Sequence, residues 1–449
     1  MSSLIGKRAV VVGAGMAGLP AARALADFFE HVVVLERDTL PLDVSDRTGT
    51  PQVRHTHALL SGGQRALSDL FPGFEEDLAA AGAVLLRAGL DLRLERPGFD
   101  PFPDRDLGLT AYAMSRPLLE FAVRRRVEQH ANIAIREHCR ACDLVASPDG
   151  AKISGIRFEN SGGRGETLSA DIVVDASGRG NLTFGFLEAL ARPRPEETNI
   201  GVDITYATAV FAAPDRAPSG WKAVATFASP AEGGLGGIML PLEQNRWIVT
   251  LVGRHGENPP GDREGFVAYA QRLRTPTIYN AIKEAEPLVA IARFGFPAST
   301  RRDFDRLEGF PQGLLPFGDA ICRFNPVYGQ GMSVAAQEAC LLRQLLQQHA
   351  GEPDALAGLA PAFFTESATL IETPWTLAAI PDFAHPETTG ERPEDLKQAL
   401  EFSEALFQLA AGDPAVHQLL FEVLHLLKPR SALNDPDIVE RVKGLAAPA

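Results

Sequence analysis

The sequence predicts an α/β fold, α+β overall, with a Rossmann-type nucleotide-binding domain, a β-rich substrate domain and a C-terminal helical region. Three observations lead to this prediction. A β-branched strand near the N-terminus runs into a glycine-rich turn and a helix, residues 199–253 form apolar runs separated by turns, and roughly the last hundred residues favour helices. We expect the first domain at residues 1–190 and 301–350, the second at 191–300 and the third at 351–449.

The N-terminal motif is a strand followed by G-x-G-x-x-G. Residues 8–12 (R-A-V-V-V) are predicted to form the strand, and residues 16–28 the helix after it. The first glycine of such a motif permits a tight turn, the second lets the backbone approach a pyrophosphate, and the third allows helix and strand to pack closely. The unpaired N–H groups at the start of the helix then bind phosphate. The predicted dinucleotide contacts in this motif are Gly13, Gly15, Met16, Ala17 and Gly18.

A second apolar strand, residues 32–35, is followed by Glu36 and Arg37. Glu36 lies about 20 residues after the glycines, where a carboxylate can bind the ribose hydroxyls of an adenosine. A glycine motif alone also occurs in ordinary loops, but a strand, a helix and an acidic residue in this order indicate dinucleotide binding. We therefore predict that Glu36 and Arg37 also contact the cofactor.

The composition limits the classes of partner. The chain has 449 residues, of which 45% are hydrophobic and 22% charged, and its 43 basic and 57 acidic residues give a net charge of −14. Nucleic acid is excluded as a partner, because phosphate binding needs a basic face. No apolar run has the length of a signal peptide or a transmembrane helix, and four cysteines in so long a chain do not indicate a disulfide framework. We expect a cytoplasmic protein.

Two short motifs could suggest a metal. Cys139-x-x-Cys142 has no second cysteine pair, so we interpret it as packing, and His55-x-His57 has no nearby carboxylate to complete a ligand set. We predict no metal site.

Further elements follow in the first half of the chain. Ser61 is expected to cap a helix at 62–71, and Ser115 a helix at 116–129 with an apolar side. Two strands joined by a glycine-rich hairpin are predicted after them, at 152–159 and 167–174.

The second half begins with the β-rich domain. Its strands are predicted at 204–211, 222–227, 237–242 and 246–252, with a hairpin turn at 243–245. The elements predicted next are helices at 262–273 and 276–286, a strand at 313–317 and a long helix to about residue 348. The helix that starts at Asp413-Pro414 has almost no polar face, so we expect it to be buried or to cover an apolar cavity.

Two later segments identify a family. Residues 171–180 are D-I-V-V-D-A-S-G-R-G, and residues 315–332 are L-P-F-G-D-A-I-C-R-F-N-P-V-Y-G-Q-G-M. Together with the N-terminal glycines they resemble the FAD-dependent aromatic hydroxylase superfamily, over residues 8–348. The runs P-Q-V-R-H-T-H-A-L-L-S-G-G, S-R-P-L-L-E and F-N-P-V-Y-G-Q-G-M-S resemble the epoxidases of polyether antibiotic pathways, and squalene epoxidases are more distantly similar.

The resemblance implies that the first domain binds FAD. Asp319 would accept a hydrogen bond from a ribitol hydroxyl, and the helix that begins near Gly331 would direct its positive end at the pyrimidine side of the flavin, where negative charge appears on reduction. Arg116 and Arg54 match arginines near the cofactor, although both could instead be surface residues. The FAD contacts implied in this way are Arg54, Arg116, Asp175, Gly178, Gly318, Asp319, Gly329, Gln330, Gly331 and Met332.

The resemblance further implies a monooxygenase. Such an enzyme transfers one atom of O2, through a flavin hydroperoxide, to a lipophilic small molecule by alkene epoxidation or hydroxylation in a dry pocket. Ala176 replaces the glycine of the superfamily's Asp-Gly pair at Asp175, so NAD(P)H reduces the flavin either directly or through a separate flavin reductase. No acid or base is assigned, and Arg54, His57 and Tyr328 are the ring-side candidates. The predicted pocket lining, which could also be plain core, is Phe211, Phe227, Met239, Leu240, Trp247, Phe294 and Phe296.

Three alternatives share the cofactor machinery. A flavin-dependent halogenase would carry a W-x-W motif, but Trp221, Trp247 and Trp375 are not so spaced. A prenyl-chain reductase would consume no oxygen. A regulatory flavin-binding protein would catalyse neither reaction.

Overall fold

The computed structural model describes residues 4–214 and 220–446. The strands are β1 (Gly6–Val12), β2 (Phe29–Leu35), β3 (Val84–Arg87), β4 (Leu92–Glu95), β5 (Thr110–Ala113), β6 (Ile133–Arg136), β7 (Arg140–Ala146), β8 (Ile153–Glu159), β9 (Gly165–Ser169), β10 (Ile172–Asp175), β11 (Glu197–Ala212), β12 (Ala223–Phe227), β13 (Gly236–Leu242), β14 (Arg246–Arg254), β15 (Ala292–Arg302), β16 (Leu314–Pro316) and β17 (Cys322–Arg323). The α-helices are α1 (Gly18–Ala26), α2 (Ser61–Leu70), α3 (Phe74–Ala80), α4 (Arg116–Glu128), α5 (Asn181–Ala189), α6 (Arg263–Gln271), α7 (Thr277–Ile282), α8 (Gly331–His349), α9 (Leu359–Phe383), α10 (Leu396–Gly412), α11 (Pro414–Leu424) and α12 (Pro436–Ala446).

A parallel sheet forms the first layer, with the strand order β16-β10-β1-β2-β6. Most residues of β1, β2 and β10 are buried in nearly continuous runs, as expected for strands covered on both faces, whereas the edge strand β6 alternates. Val12 pairs with both Leu35 and Asp175, and Asp175 pairs with Pro316. The carboxyl ends of these strands therefore meet at one edge of the sheet, where ligands bind in open α/β folds.

One predicted strand is in fact two. The run 167–174 breaks into β9, which pairs with β8 in a small antiparallel sheet, and β10, which lies in the parallel sheet. Asp171 stands at the corner, and its carboxylate accepts hydrogen bonds from the backbone N–H groups of Lys7 and Arg8 (2.7 and 2.8 Å). Because Asp171 binds the start of β1 there, the strand changes sheets.

The mixed sheet, with the order β17-β15-β11-β14-β13-β12-β4, forms the second layer. The predicted hairpin at 243–245 is confirmed between β13 and β14, with Gln244 and Asn245 both at positive φ. β15 was missed, because Gly295 and Pro297 interrupt its apolar pattern.

The mixed sheet has two different faces. On the helix-covered face, Ala207, Ala209 and Val249 pack with Phe266 of α6 and Ile278 of α7. On the opposite face, which we call the open face, Tyr206, Thr208, Thr250 and Phe296 are buried, whereas several apolar side chains are only half-buried. The half-buried side chains are Val210, Ala225, Phe227, Ile238, Leu240 and Phe294.

The C-terminal helices pack beside these sheets. As predicted, the helix that follows Asp413 is largely buried: Val416, Leu420 and Phe421 lie in one apolar cluster, and Asp413 accepts the N–H group of Ala415. Ser61 is not a cap as predicted but the first residue of α2, and its hydroxyl donates to the carbonyl of Thr110. Among residues 4–214 and 220–446 no helix is both long and apolar enough to cross a bilayer. The predicted domain boundaries stay a prediction.

Candidate cofactor-binding and substrate site

The glycine-rich turn lies at the carboxyl edge of the parallel sheet. Gly13 has φ +102°, and a Cβ there would come within 2.7 Å of the carbonyl oxygen of Ala176. A Cβ at Gly18 would overlap the carbonyl oxygen of Gly13, so turn and helix can pack this closely only without side chains. At Gly15 the nearest atom is Nη2 of Arg47, 3.6 Å from a Cβ position. The turn therefore has free space beside Gly15, where the sequence predicts the pyrophosphate.

The side chain of Asp319 is accessible, although its neighbours Gly318 and Ala320 are buried. Within the described ranges, no hydrogen bond or ion pair reaches its carboxylate. Burial raises the pKa of Asp319, and the charges of Arg323, Arg116 and Arg302 act in the opposite direction. An accessible carboxylate without a partner is available to a ligand's hydroxyl group.

The third motif meets the other two at this place. A Cβ at Gly331 would lie 4.0 Å from Oδ1 of Asp319, and one at Gly318 would lie 2.9 Å from Cβ of Ala17. A Cβ at Gly329 would lie 3.1 Å from Cβ of Ala58. The structure thus brings together the three segments on which the prediction of FAD binding depends.

Arg47 is a site residue that the sequence analysis missed. Its side chain is only 6% exposed and lies between two carboxylates, with Nη1 2.9 Å from Oε2 of Glu36 and Nε 2.7 Å from Oε1 of Glu120. Nη2 donates to the carbonyl of Ala14 in the glycine turn (3.3 Å). Burial opposes the charge, but Glu120 and Glu36 more than compensate and raise the pKa of Arg47.

Arg116 extends this row of charges. It is the first residue of α4, which Ser115 caps as predicted, and it is buried against Oε2 of Glu120 (3.2 Å). Burial lowers its pKa, although Glu120 and Asp319 favour the charged form. Glu36, Arg47, Glu120 and Arg116 therefore form an alternating row beside the glycine turn. Because Arg116 is buried, the alternative that it is a surface residue is wrong.

Glu36 is largely engaged within the protein. Oε2 accepts the N–H group of Ala14 (2.7 Å), and Oε1 accepts that of Asp38 (3.1 Å). Burial raises its pKa, but Arg47 and these N–H groups reverse the effect, and the net pKa is lowered. A carboxylate has about four lone-pair sites, so Glu36 keeps capacity for a ribose hydroxyl. Its predicted role stays a prediction.

Asp175 is fully buried, and its side chain stabilises the turn after β10. Oδ1 accepts hydrogen bonds from N–H and Oγ of Ser177, and Oδ2 from N–H and Oγ1 of Thr183. All four bonds hold the segment with Gly178 (φ +100°) at the start of α5. Its carboxylate therefore stabilises the backbone at the sheet edge. The two oxygens accept hydrogen bonds from Ser177 and Thr183, so their placement does not favour the predicted contact of Asp175 with FAD.

Two predicted arginines lie at the surface. The side chain of Arg54 is 67% exposed and pairs with Asp46, because it leaves the short 3-10 turn Pro51–Arg54 on the outer side. Arg37 is similarly exposed beside Asp38. For Arg54 this placement favours the surface alternative over a ring-side role.

The loop 55–58 crosses the open face of the mixed sheet. Nδ1 of His55 shares a hydrogen bond with Oγ1 of Thr208 (2.8 Å), which continues through Thr250 to Thr56 in steps of 2.7 Å. Since Ala58 contacts the Gly329 turn, this loop connects the sheet to the candidate flavin edge.

His57 and His55 are neutral at pH 7. Burial and the positive charge of Arg116 lower the pKa of His57 to about 3, and burial and Arg54 lower that of His55 to about 4. Tyr328, the third ring-side candidate, donates its hydroxyl to Asp382 (2.9 Å). None of these groups is poised to exchange protons near neutral pH.

The predicted pocket lining divides between the two faces of the mixed sheet. Phe227, Leu240, Phe294 and Phe296 lie on the open face, where Phe296 packs against Val327. Phe211, Met239 and Trp247 lie on the helix-covered face, in the core with α6 and α7. This placement corrects the prediction for those three residues. The open face is the candidate substrate surface.

No metal centre is formed in the part of the chain that the structure describes, since no three His, Cys, Asp or Glu side chains converge there. Cys139 is packed in an apolar cluster.

Glu338 of α8 is a buried acid behind this site. Oε2 accepts the N–H group of Gly318 (2.9 Å), while Oε1 is buried without a hydrogen-bond partner. Burial raises its pKa from 4.5 to about 8, and Asp319 adds to the rise. The group is therefore protonated at neutral pH.

This acid predicts an unusual pH dependence of stability. Between about pH 5 and pH 8 the folded state holds a proton that the unfolded state has lost, so the free energy of unfolding falls as the pH rises, by on the order of 2–4 kcal/mol. Glu338→Gln should remove this loss. Thermal melts at pH 5 and pH 8 measure it, with Glu352→Gln, an exposed change near the end of the same helix, as the control. Equal pH slopes in all three proteins would contradict the prediction.

Comparison with known proteins identifies relatives. No profile of a known protein family matches the chain. The chain is 36% identical over 396 residues to protein Rv3254 of Mycobacterium tuberculosis (strain ATCC 25618 / H37Rv). The aligned region covers 85% of this chain and 81% of that protein. It is similar in structure to the flavin-dependent brominase Bmp2 (TM-score 0.69, 14% identity, 98% of this chain and 99% of that chain). It is also similar to PqsL, a probable FAD-dependent monooxygenase from Pseudomonas aeruginosa (TM-score 0.59, 17% identity, 84% and 97%). These likenesses confirm the predicted fold class.

Proposed function

The chain belongs to the protein family of Rv3254 and has the fold of the FAD-dependent aromatic hydroxylase superfamily, and from this premise we propose that it is an FAD-dependent monooxygenase. In the proposed reaction one oxygen atom of O2 enters a lipophilic small molecule, by alkene epoxidation or hydroxylation, and the other leaves as water with two electrons from NAD(P)H. The observation that carries the proposal is the convergence of the glycine turn, Asp319 and the Gly329–Gly331 turn beside a half-buried apolar sheet face.

The residues at the sheet edge fit FAD. Arg47 and Arg116 place guanidinium groups beside the glycine turn, where they could donate to a pyrophosphate, and Glu36 and Glu120 balance their charge. Asp319 offers an unpaired acceptor for a ribitol hydroxyl. The N-terminus of α8 lies at Gly331 beside Asp319, where its positive end would favour negative charge on a reduced ring. When bound, FAD supplies the electron transfer and the activation of O2.

The chain's own contribution to the chemistry is shielding and orientation. The loop 55–58 lies next to the Gly329 turn, and the half-buried apolar side chains of the open face would exclude water from a substrate bound there. Since His55 and His57 are neutral, the substrate surface carries little charge. A neutral, lipophilic substrate suits such a surface. Within this class we propose the epoxidase subgroup, on the sequence runs shared with polyether epoxidases.

Halogenation and double-bond reduction are the competing reactions. The brominase Bmp2 shares the fold, but Trp221, Trp247 and Trp375 do not form the W-x-W motif expected of a halogenase. In the proposed reaction electrons come from NAD(P)H, directly or through a separate reductase. The hydrogen bonds of Asp175 to Ser177 and Thr183 favour neither route, so experiment must decide between them.

Oxygen uptake decides among these reactions. The FAD-loaded chain is given NAD(P)H, with and without a separate flavin reductase, and a lipophilic alkene under isotopically labelled O2. We expect uptake that rises with the alkene, and one labelled oxygen atom in the product. A saturated product without uptake would indicate a reductase, and a product that requires halide a halogenase. A chain that binds FAD but changes no substrate would be a binding protein, and one indifferent to FAD would overturn the proposal.

A further inference from the structure

A buried charged cluster lies behind the Gly329 turn and is not used by the proposed chemistry. Its centre is Asp382, which is fully buried in the last turn of α9. Arg254, at the end of β14, donates Nη1 to Oδ1 of Asp382 (2.9 Å), and the hydroxyl of Tyr328 donates to the same oxygen (2.9 Å). Nδ2 of Asn325 lies 2.9 and 3.0 Å from the two carboxylate oxygens.

Every group around Asp382 is a donor. Burial raises the pKa of Asp382, while Arg254 and the hydrogen bonds from Asn325 and Tyr328 act in the opposite direction and favour the carboxylate form. Removing one partner of such a buried pair leaves the other uncompensated, which is far more costly than losing a surface pair.

Two of the donors belong to the turn that leads into the flavin-edge segment. Asn325 also accepts the N–H group of Val327 with Oδ1 (3.1 Å), so one side chain both closes the turn and binds α9. The N–H group of Gly329 donates to Pro326 O (3.1 Å) and completes the turn. The position of residues 329–331 against Asp319 and Ala58 thus depends on a carboxylate from the C-terminal helical region.

We propose that Asp382 is a positioning residue for the flavin edge: by holding Asn325 and Tyr328, it fixes the Gly329–Gly331 turn against the isoalloxazine ring. The inference rests on the proposed function, because it presumes that FAD binds at this place. It extends that function by giving α9, outside the shared sequence motifs, a part in cofactor binding.

Asp382→Asn tests the proposal, because it places an amide against donors and removes the charge. We expect the FAD dissociation constant to rise about tenfold, at the lower end of what loss of a supporting residue costs a bound cofactor or metal. The visible spectrum of the bound flavin should shift, and amide hydrogen exchange at residues 325–331 should speed up in the FAD-free chain. Tyr328→Phe removes one of the donors and keeps the ring, so it should change the same three readouts less.

Asp91→Asn is the matched control. Asp91 is also buried and paired, with Arg87 and Lys222, but it stands at the far edge of the mixed sheet beside β4. It should lower the melting temperature without changing FAD affinity. If Asp382→Asn and Tyr328→Phe both bind FAD as the wild type does, the inference is wrong although the proposed function stands. If the wild type itself binds no FAD, the proposed function fails first. Should Asp382→Asn not fold, Tyr328→Phe alone decides.

Discussion

Replacing Arg47 with methionine should weaken FAD binding about 100-fold, the largest effect of any single change in the site. Arg47 is the shared partner of Glu36 and Glu120, and its guanidinium lies over the glycine turn. Without it, two buried carboxylates face each other and the incoming pyrophosphate with only Arg116 to balance them. Truncating one partner of a buried charge pair typically costs about 2–5 kcal/mol, which brackets the expected loss.

Titration of FAD fluorescence measures this change. Arg125→Met is the control, because Arg125 lies on the exposed side of α4 and pairs only with Glu128 there. The double variant Arg47→Met/Glu120→Gln should recover part of the affinity, since it removes the carboxylate that was left unpaired. An Arg47→Met protein with wild-type affinity would show that the row of charges supports the fold alone.

Asp319→Ala should weaken FAD binding by about 10–100-fold while leaving the FAD-free protein as stable as the wild type, or more stable. The first effect follows from the loss of a hydrogen bond to a charged acceptor, worth about 1.5–3 kcal/mol. The second follows because the carboxylate has no partner in the described residues and burial already raises its pKa, so its removal leaves no orphaned group.

The opposite signs of the two effects make this a sharp test. FAD affinity and the melting temperature of the FAD-free chain are measured together. Asp305→Ala, an exposed change nearby on the chain, should alter neither. A parallel loss of stability and affinity would instead identify Asp319 as a structural residue, and unchanged affinity would remove its proposed role.

Local patterns were sufficient to predict the strand, glycine turn and helix at residues 8–28, because neighbours in sequence specify them. The resemblance to the FAD-dependent aromatic hydroxylases, and not local pattern, supplied Asp319 as a partner of this turn, and the structure places Gly318 beside Ala17. Arg47 escaped because it stands in an irregular loop, where no periodicity distinguishes a buried arginine from a surface one. Arg54, in the same loop, was predicted from the family resemblance and lies at the surface.

The substrate half depends on information that the sequence lacks. Phe211 and Phe227 are equally apolar, and only the pairing register of β11 and β12 tells which face each occupies. The sequence could not predict the contacts of Asp382 either, because its partners lie 54 to 128 residues away along the chain and only tertiary packing brings them together.

The mixed sheet separates two tasks along each strand. Residues at alternate positions either pack against α6 and α7 or lie on the open face, the candidate substrate surface. Val210, Ala225, Ile238 and Leu240 can therefore change size without disturbing their neighbours on the other side. Substitutions at these positions could therefore change which compounds bind while the cofactor site stays the same. A combinatorial library restricted to these four positions would test this directly.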